Sequence, residues 1–142
     1  MTCKQLSIFI ENRKGRLSEV LDVLKNNDVN ILSMSLADTA EYGLLRLIVN
    51  NPELGKQKLL EKGFSTMLAD VIVLKIPHVA GSLQEFLNLL EKENVNIDYL
   101  YGLSTNTDNA YIVLKTSHLK EVERVLVNNG YETLTTDEIC SL

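Results

Sequence analysis

Tryptophan is absent from this sequence, cysteine and proline occur twice each, and 14 basic residues face 19 acidic ones. Aromatic residues make up only 6% of the chain, so a basic groove with platforms for base stacking is not available, and nucleic acid is excluded as a partner class. Cys3 and Cys140 belong to no CxxC pair and have no histidine at ligand spacing. The sequence therefore predicts no metal site and no redox motif.

Signals for membranes and for catalysis are missing as well. No apolar run approaches the roughly 20 residues that cross a bilayer, and the N-terminus has no signal-peptide pattern, so we expect a cytoplasmic protein with no membrane partner. His78 and His118 fall in different predicted elements, and no Ser–His–acid arrangement, phosphate-binding loop or metal-spaced cluster is present. We expect a protein that is not an enzyme and uses no cofactor.

An internal repeat organises the 142 residues. A shift of 66 residues places the segment 15–31 on the segment 81–97, and eight of the 17 aligned positions are identical. The identical residues of the first copy are Gly15, Leu17, Glu19, Leu21, Leu24, Val29, Asn30 and Ile31. The chain is thus predicted to contain two homologous units, residues 1–70 and 71–142, whose joint has no linker composition.

Each unit has the same predicted order of elements: strand, helix, strand, strand, helix, strand. Leu17, Val20, Leu21 and Leu24 recur at helical spacing, and the second copy repeats them. After the helix, Leu32, Met34 and Leu36 alternate with serines in a predicted strand, and a polar turn that includes Asn106 and Thr107 joins the corresponding hairpin of unit two. This order predicts an α+β fold of two ferredoxin-like βαββαβ units with antiparallel sheets.

The loop Glu11-Asn12-Arg13-Lys14-Gly15-Arg16-Leu17, followed by Val29-Asn30-Ile31, resembles the signature of ACT domains, and most closely that of the regulatory domain of bacterial phosphoglycerate dehydrogenase. Both repeats carry the pattern, although Lys14 and Ala80 replace the proline that is common in the family, and His78 replaces its Asn or Asp. The resemblance implies the fold predicted above. It also implies an amino acid bound where the first loop of one domain faces the second strand of a neighbour.

The resemblance and the loop chemistry together give the candidate ligand-binding residues. They are Asn12, Arg13, Lys14, Gly15, Arg16, Leu17 and Asn30 in unit one, and His78, Val79, Ala80, Gly81, Ser82, Leu83 and Asn96 in unit two. A glycine before a helix lets a carboxylate approach free N–H groups at the positive end of the helix dipole. An asparagine both donates and accepts, which suits a zwitterion.

Each of these features has a plainer alternative. Each glycine would then only provide the unusual backbone angle that its turn requires. Each asparagine would cap a turn, and the cations of the first loop would form a solvated face. His78 is either a surface residue or a contact for a ligand carboxylate.

The predicted function is that of a non-catalytic regulatory protein that binds an amino acid and passes the information on through an interface. The alternative is a regulatory small subunit that acts mainly through contact with a partner biosynthetic enzyme, and enzyme activity of the acylphosphatase kind is a third reading. Unpaired sheet edges and apolar strand faces predict a homodimer.

Overall fold

The computed structural model describes residues 2–38, 41–103 and 108–142. The elements along the chain are β1 (Cys3–Glu11), α1 (Arg16–Asn26), β2 (Ile31–Asp38), β3 (Tyr42–Val49), α2 (Pro52–Glu61), β4 (Ser65–Pro77), α3 (Ser82–Lys92), β5 (Tyr99–Leu103), β6 (Asn109–Lys115), α4 (Leu119–Asn128), β7 (Glu132–Leu134) and α5 (Thr136–Cys140). The predicted turn residues Asn106 and Thr107 lie outside the described residues.

Two compact units divide the chain between Asp70 and Val71. The N-terminal unit is Lys4–Asp70, and the C-terminal unit is Val71–Leu142 together with the N-terminal residues up to Cys3, the first residue of β1. The strand β4 crosses this division without interruption. A single extended strand therefore supplies the last strand of one unit and the first strand of the next.

Both units have the ferredoxin-like strand order. It is β2-β3-β1-β4 in the N-terminal unit and β5-β6-β4-β7 in the C-terminal unit. The pairs β1–β3 and β2–β3, and in the second unit β4–β6, β4–β7 and β5–β6, are antiparallel. The predicted fold class is confirmed.

Each unit has its own hydrophobic core under its pair of helices. The first core includes Leu6, Ile8, Leu24, Leu47 and Leu59, and the second includes Ile72, Leu74, Phe86, Leu114 and Leu126. The strand residues in these lists are two apart, because alternate residues of a strand point to the same face of the sheet. The predicted helix spacing of Leu17, Val20, Leu21 and Leu24 is confirmed, since α1 buries Val20, Val23 and Leu24.

All four long helices end in the same way. The residue after the C-cap has a positive φ: Asp28 (55°), Gly63 (85°), Asn94 (55°) and Gly130 (71°). In each case the next N–H donates back to a carbonyl of the last turn, as Val29 does to Leu24 at 2.9 Å, which is the Schellman arrangement. The predicted stops at Gly63 and Gly130 are confirmed, while α4 begins at Leu119 and not at Ser117.

The predicted alternation of β2 holds for Met34 and Leu36, which pair with the core residues Leu47 and Leu45 and so lie on their face of the sheet, and it fails for Leu32. The strand begins at Ile31, and a bulge between Ile31 and Ser33 displaces Leu32 from the register. Ser33 is buried, whereas Met34 and Leu36 are 45% and 47% exposed. β2 is an edge strand of the sheet, so its side chains on the helix side are covered less than those of central strands.

Candidate functional site

The two glycine loops have the same backbone geometry. Gly15 is the N-cap of α1 with φ 91° and ψ −12°, and Gly81 is the N-cap of α3 with φ 90° and ψ −11°. This left-handed region is costly for residues with a Cβ and easy for glycine. The sequence repeat is therefore a repeat of a specific turn, and the need for a positive φ, proposed above as the plainer alternative, holds at both positions.

Each glycine also faces open space. A Cβ added to Gly15 or Gly81 would meet no heavy atom within 4 Å. Neither N-cap has a side chain that accepts from the first turn of its helix. The loop thus leaves room at the start of each helix, and that room is what a ligand carboxylate would need.

The first turn of α1 offers N–H groups to that space. Arg16 N–H donates to the Arg13 carbonyl at 3.4 Å, and helical bonding begins with Glu19 N–H to the Gly15 carbonyl at 3.0 Å. The N–H groups of Leu17 and Ser18 precede the first helical bond, so the helix itself provides no acceptor for them. The second loop repeats the pattern, with Glu85 N–H donating to the Gly81 carbonyl at 3.0 Å.

The three cations of the first loop have different surroundings. Arg13 pairs with Glu11 at 2.9 Å on the surface. The Arg16 side chain is only 17% exposed and pairs with Glu19 at 2.6 Å, and its guanidinium lies 4.3 Å from the centroid of the Phe64 ring. Lys14 has no ion pair or hydrogen bond among the residues that the structure describes. Arg16 therefore has a structural role, and Lys14 is the cation that a ligand would find free.

Asn12 is exposed and continues the hairpin by its backbone, since its N–H donates to the Glu41 carbonyl at 3.0 Å. Its side chain is available to solvent. In the second unit the corresponding position is His78, which is also exposed. The two loops thus present different polar groups from the same backbone position.

The rest of the second loop is less polar. Val79 is 67% exposed, and Ala80 is exposed beside it. Ser82 is buried and its N–H donates to the Val79 carbonyl at 3.3 Å. This loop therefore offers an apolar surface where the first loop offers cations.

Leu17 and Leu83 belong to the cores. Each is partly buried and packs against the core of its own unit. Their side chains hold the helix starts onto the sheet.

Asn30 lies immediately before β2 and Asn96 three residues before β5, and both are exposed. Asn30 N–H donates to Asn50 Oδ1 at 2.9 Å, and the Asn96 carbonyl accepts from Thr116 Oγ1 at 2.8 Å. These bonds use the backbone of each asparagine. Within the described part of the chain their side-chain amides are without a hydrogen-bond partner.

The structure does not bring a loop glycine and an asparagine together within one unit. Ile31 pairs with Val49, and Leu6 with Leu47, so β2 begins level with the start of β1, while the glycine loop follows the end of β1. Seven residues of strand separate these levels, roughly 20 Å at about 3.3 Å per residue. The register of β4, β5 and β6 repeats this separation. One small ligand therefore cannot contact both groups of the same unit.

Residues 2–38, 41–103 and 108–142 contain neither a membrane-spanning helix nor a metal-binding cluster. No helix there is long and apolar enough to cross a membrane. No group of three or more His, Cys, Asp or Glu side chains in these ranges is placed to hold a metal ion.

Similar proteins support the fold and the repeat. The crystal structure of protein BT0572 from Bacteroides thetaiotaomicron is similar to the whole chain, with TM-score 0.94 and 34% identity over 100% of this chain and 98% of that one. The ligand-free regulatory subunit of aspartate kinase from Thermus thermophilus has TM-score 0.64 and 11% identity, over 88% and 90% of the two chains. The second similarity concerns the fold alone.

A curated relative adds sequence evidence. The acetolactate synthase small subunit of Buchnera aphidicola subsp. Baizongia pistaciae is 24% identical over 131 residues, which cover 90% of this chain and 81% of that protein. The family model described as "ACT domain pair" matches residues 1–142. With both glycine loops and both asparagines repeated in one chain, this match means that the protein belongs to the family of ACT domain pairs.

Proposed function

We propose that this protein is a non-catalytic regulator that binds a free amino acid where two ACT domains meet. One observation carries the proposal. The same left-handed glycine, with open space in front of a helix start, occurs twice in a chain that an ACT domain pair matches from end to end. Gly63 and Gly130 also combine a positive φ with open space, but they follow helix ends, whereas Gly15 and Gly81 stand at helix starts, where N–H groups lack an acceptor within the helix.

The chemistry of the two half-sites is complementary. A glycine loop provides N–H donors and the positive end of a helix dipole, which favour a carboxylate. Asn30 and Asn96 provide an amide that accepts from an ammonium group and donates to a carboxylate. Because these groups lie at opposite ends of a unit, the bound amino acid joins two units. Binding is thereby linked to how the units pair.

Pairing between copies is part of the proposal. We expect a cytoplasmic homodimer, because Phe9, Met34 and Leu36 expose nearly half of their apolar side chains and β2 is a terminal strand of its sheet. Light scattering at micromolar concentration tests this. A mass of twice 16.0 kDa supports the dimer, and a mass near 16.0 kDa refutes it.

A thermal-shift screen with the twenty amino acids tests ligand binding. A ligand at 100 times its dissociation constant stabilises the folded protein by about 2.7 kcal/mol, so a screen at about 10 mM clearly detects dissociation constants up to about 0.1 mM. We expect one chemical group of amino acids to raise the melting temperature. The absence of stabilisation by all twenty at millimolar concentration contradicts the proposal.

A second candidate function has one observation in its favour. The similarity to an acetolactate synthase small subunit favours a small subunit that acts mainly by contact with a biosynthetic enzyme, with pockets that need not be occupied. Affinity purification from the native host distinguishes the two. Stoichiometric recovery of a biosynthetic enzyme, together with a blank amino acid screen, supports the second candidate.

A further inference from the structure

An open concavity of about 410 Å³ lies beside Asn30 in the N-terminal unit. Its wall is formed by one short stretch of chain that includes the end of α1 and the start of β2. The lining residues are Leu21, Leu24, Lys25, Asp28, Val29, Asn30 and Ile31.

The floor of this concavity is apolar and fixed. Leu24 and Val29 are buried in the core of the unit, and Ile31 packs against that core from the edge. Leu21 is half-buried. Leu21 and Ile31, which are partly exposed beside the buried Leu24 and Val29, therefore form a small apolar surface on which another aliphatic group would lose contact with water.

The rim carries one charge of each sign. Lys25 stands in the last turn of α1, and Asp28 follows the helix with a positive φ of 55°. Both are exposed, and their side chains have no ion pair or hydrogen bond in the described ranges of the chain. Lys25, Asp28 and the Asn30 amide thus offer a cation, an anion and a two-way hydrogen-bonding group around an apolar floor.

The apolar floor is the same in the two repeats, whereas the charged rim differs. A shift of 66 residues places the four aliphatic residues on identical ones: Leu87, Leu90, Val95 and Ile97. Lys25, however, is replaced by Glu91, and Asp28 by Asn94. The C-terminal unit therefore has a carboxylate where the N-terminal unit has an ammonium group, and it would repel a ligand carboxylate.

A larger groove of about 480 Å³ lies between α1 and α2. Of its charged side chains, Lys58 pairs with Glu61 at 3.4 Å and Glu19 with Arg16 at 2.6 Å, while Asp22 and Lys62 have no ion pair among the described residues. A ligand there would compete with the existing ion pairs, whereas none of the described ion pairs involves a residue that lines the Asn30 concavity.

We infer that the Asn30 concavity takes an α-amino acid with an uncharged aliphatic side chain, whose carboxylate meets Lys25 and whose ammonium group meets Asp28. The inference rests on the proposed function and adds its ligand class and the unit that binds it. A carboxylate has lone pairs for several donors, so contact with Lys25 is compatible with contact to the N–H groups of a glycine loop.

Isothermal titration calorimetry on the full chain tests the inference with L-leucine as the probe. L-alanine, L-aspartate and L-lysine serve as comparisons of side chain, and leucinamide and N-acetyl-leucine as comparisons of charge. We expect L-leucine to bind at least tenfold more tightly than each of these five compounds.

The matched variants are Lys25→Glu, which introduces the residue found at position 91, and Lys92→Glu as its control. Lys92 stands in the last turn of α3 as Lys25 does in the last turn of α1, so both changes alter net charge and helix-end electrostatics equally. We expect Lys25→Glu to weaken L-leucine at least tenfold and Lys92→Glu to change it less than twofold. Leucinamide, which has no carboxylate, should not be weakened by Lys25→Glu.

The outcomes separate the inference from the proposed function. If L-aspartate or L-lysine binds as tightly as L-leucine, or if Lys25→Glu has no effect, the inference is overturned while amino acid binding stands. If none of the probes and none of the twenty amino acids binds, both fail. A change of oligomeric mass in Lys25→Glu with unaltered L-leucine binding assigns the concavity to a protein contact and also overturns the inference.

Discussion

Replacing Gly15 and Gly81 with aspartate separates a ligand-binding role of the glycine loops from a purely structural one. The added carboxylate would lie at the start of the helix, where it accepts from the N–H groups that a ligand carboxylate would use. No atom lies within 4 Å of the new Cβ, so the change introduces no collision. We expect Gly15→Asp and Gly81→Asp to fold and to lose ligand-induced stabilisation at the altered loop.

The stability change is small and can be estimated. The left-handed backbone, φ 91° at Gly15 and 90° at Gly81, costs a residue with a Cβ roughly 1–2 kcal/mol, which corresponds to a melting shift of about 4 °C. Gly→Ala carries this full cost. Gly→Asp recovers part of it, because a carboxylate at the N-cap is about 1 kcal/mol better than alanine. The aspartate variants should therefore melt at or slightly above their alanine counterparts.

Gly63 provides the control. It has a similar φ of 85° and equally open surroundings, but it follows the end of α2 and faces no helix N-terminus. Gly63→Ala should show the same loss of stability as Gly15→Ala and no loss of ligand binding. Calorimetry with the amino acid found in the screen decides the matter: equal affinity in wild type, Gly15→Asp and Gly81→Asp would refute the assignment of the loops as the site.

Three further features of the molecule can be tested: the exposed asparagines, the buried Gly55 and the two cysteines. Asn30→Ala and Asn96→Ala should weaken binding by about 1–3 kcal/mol in calorimetry and leave the urea midpoint unchanged, because both side chains are exposed. Gly55→Ala should lower the free energy of unfolding, measured by urea titration, by about 1–3 kcal/mol. The loss outweighs the better helix propensity of alanine, since the new Cβ would lie 3.0 Å from Leu6 Cδ1 in the core. Iodoacetamide at pH 8 should modify Cys140 alone, as counted by mass spectrometry, because burial raises the pKa of the Cys3 thiol above 9.0. The neutral Cys3 thiol favours the folded state, and this contribution to stability is lost only as the pH rises through the raised pKa. Two adducts on the native protein would contradict the prediction.

The repeat made most of the fold predictable. Two copies of one pattern give two independent readings of each element, and the strong 3.6-residue spacing of Leu17, Leu21 and Leu24 locates the helices. The helix ends were predicted where glycine marks them, at Gly63 and Gly130. At Asp28 and Asn94 the same left-handed stop occurs without glycine, which these residue types tolerate.

Other features depended on contacts between distant parts of the chain. Met34 and Leu36 have the alternation of a half-buried strand, but their exposure follows from the edge position of β2, which alternation alone does not reveal. The Phe64 ring under Arg16 brings together residues that no spacing rule connects. The short helix α5 had a local signal that the interpretation missed: Thr135 and Glu138 form a capping box.

The candidate site was predictable in part for the same reasons. The loop glycines are identical in the two repeats and are predicted from the sequence as ligand-binding residues. Lys25 and Asp28 differ between the repeats and are not among the residues predicted from the sequence. Identity between the repeats marks the shared left-handed glycine turn and the shared apolar floor. The residues that would make one unit selective are found only where the repeats differ, and the structure was needed to place those differences around one concavity.

The separation of Gly15 from Asn30 by the length of a sheet has a consequence for regulation under the proposed function. A ligand held wholly within one unit would stabilise that unit and leave the pairing of units unchanged. A ligand held by the loop of one unit and the asparagine of another binds only one mutual arrangement, so its differential affinity shifts the population toward that arrangement. The shift is limited to the binding free energy that the second unit contributes, and 1.4 kcal/mol from one such contact already changes the ratio of arrangements about tenfold. Two modest half-sites on opposite ends of a small fold are therefore sufficient to convert the concentration of a free amino acid into a change of assembly.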